Sequence, residues 1–420
     1  MDHFCYRGGE LFAEELAVDE LALKYGTPLY VYSRATLEKH WHAFDQAFGD
    51  YPHSICYSVK ANSNLGVLNI LAKLGSSFDI VSGGELSRVI AAGGNPALVV
   101  FSGVGKLDWE IREALKVGIQ CFNVESAPEL ERIANIATEM NKVAPIAIRI
   151  NPDVDAQTHP YISTGMKHNK FGVSIDEAIT MYQTTHHHVH LKVEGVTCHI
   201  GSQLVETRPY EDAMDKMLNF VASLNSQGIE LSHIDFGGGL GVRYKDEEPP
   251  SPAEYWQAIL KKLQAHNIEI PVTIEPGRAI AGNAGILVTR IEYLKQGEVS
   301  QFCIVDAAMN DLIRPALYSA YQEIIEVDQN TDSDPQQYDV VGPICESADF
   351  LGKERTLSVA QGGLLAVRTA GAYGAVQSSN YNTRGRAAEV IVDGSSAYIT
   401  RQRETIESLY ELESIIPNNQ

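Results

Sequence analysis

The stretch SICYSVKANSNLGVLNILAKLGSSFDIVS, residues 54–82, decides the fold. It opens on a short apolar run, SICYSVK, and crosses the turn residues Asn62-Ser63-Asn64. A helix-patterned segment follows, NLGVLNILAKLG, and closes on Gly75 before a second apolar run, FDIVS. A glycine just past the last periodic residue is the usual end of a helix. Strand, helix and strand in this order make one βα unit, which predicts parallel pairing.

The pattern repeats outward from there. LVVFS, QCFNV, IAIRIN, VEGVTCHI, HIDF and VTIE complete eight candidate strands between Ser54 and Arg278. DWEIREALKVG, PELERIANIATEM and YEDAMDKMLNFVASLNSQG are among the helical stretches between them. Eight consecutive units favour a closed (β/α)8 TIM-like barrel over an open doubly wound sheet. The flanks differ. Residues 1–12 resemble a hairpin turned at Gly8-Gly9. Beyond Ala279 strand-like runs dominate, including ILVTRIEYL, SQFCIVD, YDVVG, TLSVA, LLAVRT and AEVIV, while 328–337 is a polar loop. The expected organisation is therefore α/β: a barrel over 27–280, inserted into a mostly β domain, a sandwich or barrel, made from 1–26 and 281–420.

Composition narrows the function. The 420 residues hold 33 Lys and Arg against 54 Asp and Glu, a formal net charge of -21. So acidic a surface repels phosphate backbones and anionic lipid, which argues against nucleic-acid and membrane-surface partners. No run approaches the ~18 apolar residues needed to span a bilayer. MDHFCYRGGELFAEEL lacks the basic and apolar regions of a secretory signal. Six scattered cysteines with no CxxC pair fit reduced thiols. A cytoplasmic protein is expected.

In a barrel, reactive side chains gather where strands end. Lys60 closes the first strand and Ser82-Gly83-Gly84-Glu85 follows the second. The fifth carries Arg149 and Asn151, and the sixth ends in His199-Ile200-Gly201-Ser202. The seventh runs into Gly237-Gly238-Gly239-Leu240-Gly241, and the eighth ends at Glu275-Pro276-Gly277-Arg278. Glycine turns after strands seven and eight suit phosphate, because their backbone N–H groups are accessible. A lysine amine can hold an aldehyde cofactor, a carboxylate can serve a pyridine nitrogen, and imidazole can stack on a ring. Those are the needs of pyridoxal phosphate. Each signal alone has a plain structural reading: a solvated lysine cap, a satisfied histidine, an ordinary glycine loop.

The motifs YSVKAN, HIGSQ, DFGGGLG and EPGR, in this order and spacing, resemble the barrel-type pyridoxal-phosphate decarboxylases of ornithine, arginine and diaminopimelate. NDLIRPALY (310–318), GPICESAD (342–349) and GAYG (371–374) narrow the resemblance to the diaminopimelate decarboxylases, over nearly the whole chain. It implies decarboxylation of meso-2,6-diaminopimelate to L-lysine. It assigns Lys60 to the covalent hold on the cofactor, His199 to ring stacking and Glu275 to the pyridine nitrogen. Ser202, Gly238, Gly239, Gly277 and Arg278 would line the phosphate site, with Tyr373 nearby. Arg278, Arg314, Tyr318, Tyr373 and Glu346 would hold substrate, the arginines gripping carboxylate two-pronged. Cys345 would reprotonate the product carbon. The resemblance further implies a homodimer in which Cys345 and Glu346 serve the neighbouring subunit's pocket.

Ala348, Gly363 and Gly385 depart from the family pattern, and TGMKHNKFGV (164–173) carries His168 and Asn169 at variable positions. The cluster His186-His187-His188 with His190 invites a metal reading, but it lies opposite the strand ends and reads as a solvated loop, so no metal is expected. Three rivals stand beside the leading reading. A related decarboxylase of D-lysine, D-ornithine or a carrier-linked amino acid would leave Arg314 without a carboxylate partner. A non-catalytic relative would have lost the lysine or the acid. A racemase would set an arginine where Glu275 stands.

Overall fold

The structure is a computed structural model that describes residues 2–154 and 170–417; His168 and Asn169 lie outside the described residues. The chain divides into two compact units, Leu37–Ala281 and Met1–Thr36 with Gly282–Gln420.

In the first unit, eight parallel strands close into a barrel: His53–Ser58, Ser77–Ile80, Val99–Phe101, Cys121–Val124, Ala144–Arg149, Leu191–Thr197, His233–Asp235 and Val272–Ile274. Closure comes from Val272–Ile274 pairing with His53–Ile55. All eight expected strands are present. The helices between them start on side-chain caps, as Ser82, Ser126, Ser174 and Ser251 each accept a hydrogen bond from the backbone N–H three residues on. Small side chains fill part of the interior, where Cys56, Val100, Cys121 and Ala147 form one buried cluster. At Gly195 a Cβ would lie 2.5 Å from the His233 ring, so only glycine allows the sixth strand to pass that histidine.

The second unit is mostly β, as expected, but it keeps the N-terminal chain to Thr36 where the reading gave it 1–26. Leu29–Ser33 is a fully buried strand of its main sheet, antiparallel to Gly285–Gln296 on one side and parallel to Ala388–Asp393 on the other. Its run LYVYS is apolar throughout, and a strand covered on both edges and both faces has no alternation to distinguish it from a barrel strand. The barrel unit accordingly opens at Leu37 rather than at residue 27. The expected hairpin exists, with Phe4–Arg7 antiparallel to Glu10–Ala13 and Arg7 opposite Glu10. Phe4, Leu11, Leu29, Val31, Ile286, Val288 and Val390 share one core cluster, which binds both ends of the sequence into one body. The run TLSVA supplies only the end of the strand Phe350–Leu357. Among the described residues no helix is long and apolar enough to cross a membrane.

Candidate active site

Lys60 follows directly on the first barrel strand, in the short turn Val59–Ala61. Its Nζ lies 3.2 Å from Asp79 Oδ2, on the second strand. The Asp79 carboxylate is buried, and the Ser58 hydroxyl donates to it at 2.9 Å. The strand ends thus deliver a cation and its counter-ion to the same place.

Two further acids occupy the barrel interior. Asp235 ends the seventh strand and Glu275 follows the eighth, both buried and within hydrogen-bonding reach of each other. Burial, then the charges of Asp235 and Asp79, push the Glu275 carboxyl well above the ordinary carboxylate range. Burial likewise raises Asp235, to about 6, against the backbone N–H of Gly237 that donates to its Oδ1 at 2.8 Å. Asp235 Oδ2 has no donor within the described residues, which is what two neighbouring carboxyls give when neither carries a proton. Both carboxyls are thus shifted toward the protonated form, and the two titrate as a pair. Asn123, fully buried on the fourth strand, donates from Nδ2 to Glu275 Oε1 at 3.3 Å.

His199 stands just past the sixth strand. The Gly238 N–H donates to its Nδ1 at 3.2 Å, which assigns the ring proton to Nε2. Burial, then the positive charges of Arg149 and Lys60, hold its pKa well below the usual histidine value. The ring is therefore a neutral, flat surface. Arg149 is occupied elsewhere, 3.1 Å from Glu125 Oε1 in a buried ion pair.

The glycine turns are needed for close approach. A Cβ on Gly238 would lie 2.1 Å from the Glu275 carbonyl oxygen, and one on Gly239 would lie 2.3 Å from that of Gly201. Gly239 also has a φ of +104°, which favours glycine. At Gly277 a Cβ would press on Ala61 and Ser58 at 2.9 and 3.0 Å, so that turn packs directly on the lysine segment. Arg278 opens the short helix Arg278–Ala281 and is buried. Its Nη1 donates to the Tyr244 hydroxyl at 2.5 Å and its Nη2 to Ser202 Oγ at 3.1 Å. Lys60, His199, Ser202, Gly238, Gly239, Glu275, Gly277 and Arg278 thus all belong to the strand-end side of one barrel.

The donor set fits pyridoxal phosphate. It offers an amine, a buried carboxyl for a ring nitrogen, a neutral imidazole face, and a glycine cradle with a hydroxyl and a guanidinium for a dianion. Asp79 Oδ1, Asn123 Oδ1 and Asp235 Oδ2 are buried without donors in the described residues, the signature of a polar interior built around something further.

The remaining expected residues belong to the second unit. Arg314 opens the short helix Arg314–Tyr318, is buried, and donates to Gln322 Oε1; Gln322 is itself fixed by donating to the Arg368 and Thr369 carbonyls. Gln377 donates to the Tyr318 hydroxyl at 3.4 Å. Tyr373 takes a left-handed backbone, φ +56°. Cys345 and Glu346 are exposed. Of the departures from the family pattern, Gly385 has a local cause, since a Cβ there would lie 2.6 Å from the Glu404 carbonyl oxygen. His190, from the histidine cluster, lies with Nδ1 2.9 Å from the Lys142 carbonyl.

Asp79, Asn123, Asp235, Tyr244 and Gln322 were not singled out by the sequence reading. A signal existed for two of them, because Asp79 and Asp235 interrupt the apolar strand runs FDIVS and HIDF, and an uncompensated charge is costly there. The others carry no local mark.

Comparison with known proteins agrees with this geometry. Residues 34–282 match the family model described as the pyridoxal-binding domain of pyridoxal-dependent decarboxylases. Diaminopimelate decarboxylase from Vibrio cholerae is 59% identical, with 99% of this chain and all of that protein covered. The crystal structure of diaminopimelate decarboxylase from Helicobacter pylori complexed with L-lysine superposes with a TM-score of 0.91 at 42% identity, over 94% of this chain and 99% of that one. The enzyme of M. jannaschii, also in complex with L-lysine, gives 0.94 at 36% identity, over 99% and 98% of the two chains. The chain belongs to the pyridoxal-dependent decarboxylases. Within that class, these full-length relatives are diaminopimelate decarboxylases.

Proposed function

We infer that this protein removes CO2 from meso-2,6-diaminopimelate and releases L-lysine. The observation that carries the reading is Lys60 beside the buried Asp79, in the same barrel interior as the buried Glu275, on a chain collinear with diaminopimelate decarboxylases over 99% of its length.

When bound, pyridoxal phosphate supplies the electron sink that accepts the pair left as the α-carboxylate departs. The protein does the rest. Lys60 holds the cofactor aldehyde and Asp79 steadies its amine. Glu275 would pair with the pyridine nitrogen and favour its protonated form, so that the ring would withdraw electrons. His199, neutral through its Gly238 contact, would offer its face to the ring without adding charge. Gly238, Gly239, Gly277, Ser202 and Arg278 take the phosphate, and Tyr244 aims the guanidinium. Arg314, steadied by Gln322, takes the distal carboxylate with Tyr318 and Tyr373, while Glu346 receives the distal ammonium. Cys345 returns a proton to the carbon that lost CO2. A buried arginine set for a second carboxylate favours diaminopimelate over D-lysine or D-ornithine.

Cys345 and Glu346 are exposed in the single chain, and we assign them, from the family resemblance, to the pocket of the neighbouring subunit in a homodimer. The acidic composition and free cysteines support a cytoplasmic enzyme.

The test is CO2 release from meso-diaminopimelate, D-lysine, L-lysine and L-ornithine in parallel, with Lys60→Ala and Cys345→Ala as controls. Release from diaminopimelate alone is expected. Release only from a monocarboxylic D-amino acid would overturn the substrate but keep the cofactor. Bound cofactor with no CO2 from any of them would point to a racemase or a non-catalytic binder.

A further inference from the structure

The turn Tyr381–Thr383 in the second unit grips the Cys345-Glu346 segment with two consecutive side chains. The Tyr381 hydroxyl donates to Glu346 Oε1 at 2.7 Å, and Asn382 Oδ1 accepts from the Cys345 N–H at 3.1 Å. Asn382 and Thr383 both take left-handed backbone, each at φ +55°, which is what allows neighbouring residues to present their side chains to one strip of chain. The other end of the strip is fixed by Asp349. Its Oδ2 accepts from the Ile344 N–H at 2.6 Å and its Oδ1 from the Met309 N–H at 2.7 Å. Gly342 completes that seat, since a Cβ there would stand 2.6 Å from Asp349 Oδ2. The backbone around Cys345 is therefore held from within its own motif by Asp349 and from outside it by the turn Tyr381–Thr383.

The Tyr381–Glu346 contact differs from the others in being exposed. An exposed hydrogen bond to a carboxylate adds little to folding. What it does is select one orientation of a side chain that otherwise samples many rotamers. Tyrosine suits that task, because its hydroxyl is carried on a rigid ring with two torsions, and a bond to an ionised acceptor is directional and strong. It engages one carboxylate oxygen, Oε1.

We propose that Tyr381 is a positioning residue that orients Glu346 for the distal ammonium of the substrate, and so sets the preference for a doubly aminated molecule. The proposal rests on the role given to Glu346 above. Asn382 plays the matching part for the Cys345 backbone, which ties the proton donor and the ammonium acceptor to one turn.

The experiment is steady-state kinetics on the holoenzyme with meso-diaminopimelate, comparing wild type, Tyr381→Phe, Glu346→Gln and the double variant. Bound-cofactor absorbance and thermal unfolding are recorded for each. Tyr381→Phe is expected to raise KM about tenfold with kcat within twofold, as loss of a binding contact not specific to the transition state should. Absorbance and melting temperature stay at wild-type values. Glu346→Gln raises KM by as much or more, and the double variant is no worse than Glu346→Gln alone. An unchanged KM in Tyr381→Phe, with a raised KM in Glu346→Gln, overturns the positioning role and leaves Glu346 as the ammonium partner. An unchanged KM in Glu346→Gln overturns the role of Glu346 itself, and the proposal with it. A fall in kcat at constant KM in Tyr381→Phe also overturns it, because the tyrosine would then be acting on the proton transfer.

Discussion

Lys60 Nζ stands 3.2 Å from Asp79 Oδ2, and the carboxylate that faces it is shielded from solvent on a neighbouring strand of the same barrel. A counter-ion in that position favours the protonated amine and fixes its direction. Asp79→Asn keeps the shape and removes the charge. The pH titration of the bound cofactor's absorbance should move to lower pH, and kcat/KM should fall on the order of 10- to 100-fold, the range of a well-placed acid–base partner. An unshifted titration would show that the contact does not reach the amine in the loaded enzyme.

Gly238 offers a steric test of the cradle. The added methyl of Gly238→Ala would start 2.1 Å from the Glu275 carbonyl oxygen, backbone that cannot yield without moving Glu275 itself. Cofactor affinity should drop about a hundredfold, or ~3 kcal/mol, when measured by equilibrium dialysis. Gly8→Ala is the matched control. Its φ is +60° with nothing within 4 Å of the new Cβ, so it should cost about 1 kcal/mol in folding and leave cofactor binding alone.

The shared-site arrangement predicts complementation. Lys60→Ala and Cys345→Ala variants, each inactive by itself, should recover about a quarter of wild-type activity after denaturation and refolding together, since mixed dimers hold one intact site. Recovery absent despite dimers in sedimentation would place Cys345 in its own subunit's pocket.

Stability should fall with rising pH because of Asp311. Burial pushes this carboxyl up to about 7, although the Ala308 N–H donates to it. Between the ordinary carboxylate value and about 7 the folded state keeps a proton that the unfolded state has released. Unfolding free energy therefore declines through that window and levels off above it. Asp311→Asn cannot titrate, so urea denaturation at pH 5 and pH 8 should find the wild-type loss reduced in the variant by on the order of a few kcal/mol, while the share carried by Asp235 and Glu275 stays.

The barrel was readable from its sequence because turn residues part the strand and helix patterns, and several helices start on a capping side chain. Eight periods left little freedom. The phosphate cradle was readable because glycines at strand ends have few other reasons to cluster. Leu29–Ser33 was assigned to the barrel side because its pairing partners lie more than 250 residues away and leave no trace in its own pattern. The acids Asp79 and Asp235 show why part of the site stayed hidden. Their meaning depends on which strands become neighbours, and a lone Asp in an apolar run does not say whom it meets. Tyr381 and Asn382 were harder still, as they act across 35 residues or more on a loop whose own motif seemed self-contained.

The strand Leu29–Ser33 has a bearing on how this protein is made. It leaves the ribosome before the barrel, yet its parallel neighbour, Ala388–Asp393, emerges more than 350 residues later. The barrel, complete by Ala281, has all its partners while the second unit is still waiting for that strand. A nascent chain therefore carries a finished cofactor-binding half and a buried-type strand with an open edge, and that edge is exposed to wrong pairings until Ala388–Asp393 arrives. Any message cut short before Ala388 would leave it so permanently, which makes that late strand a condition for escaping aggregation as well as for assembling the enzyme.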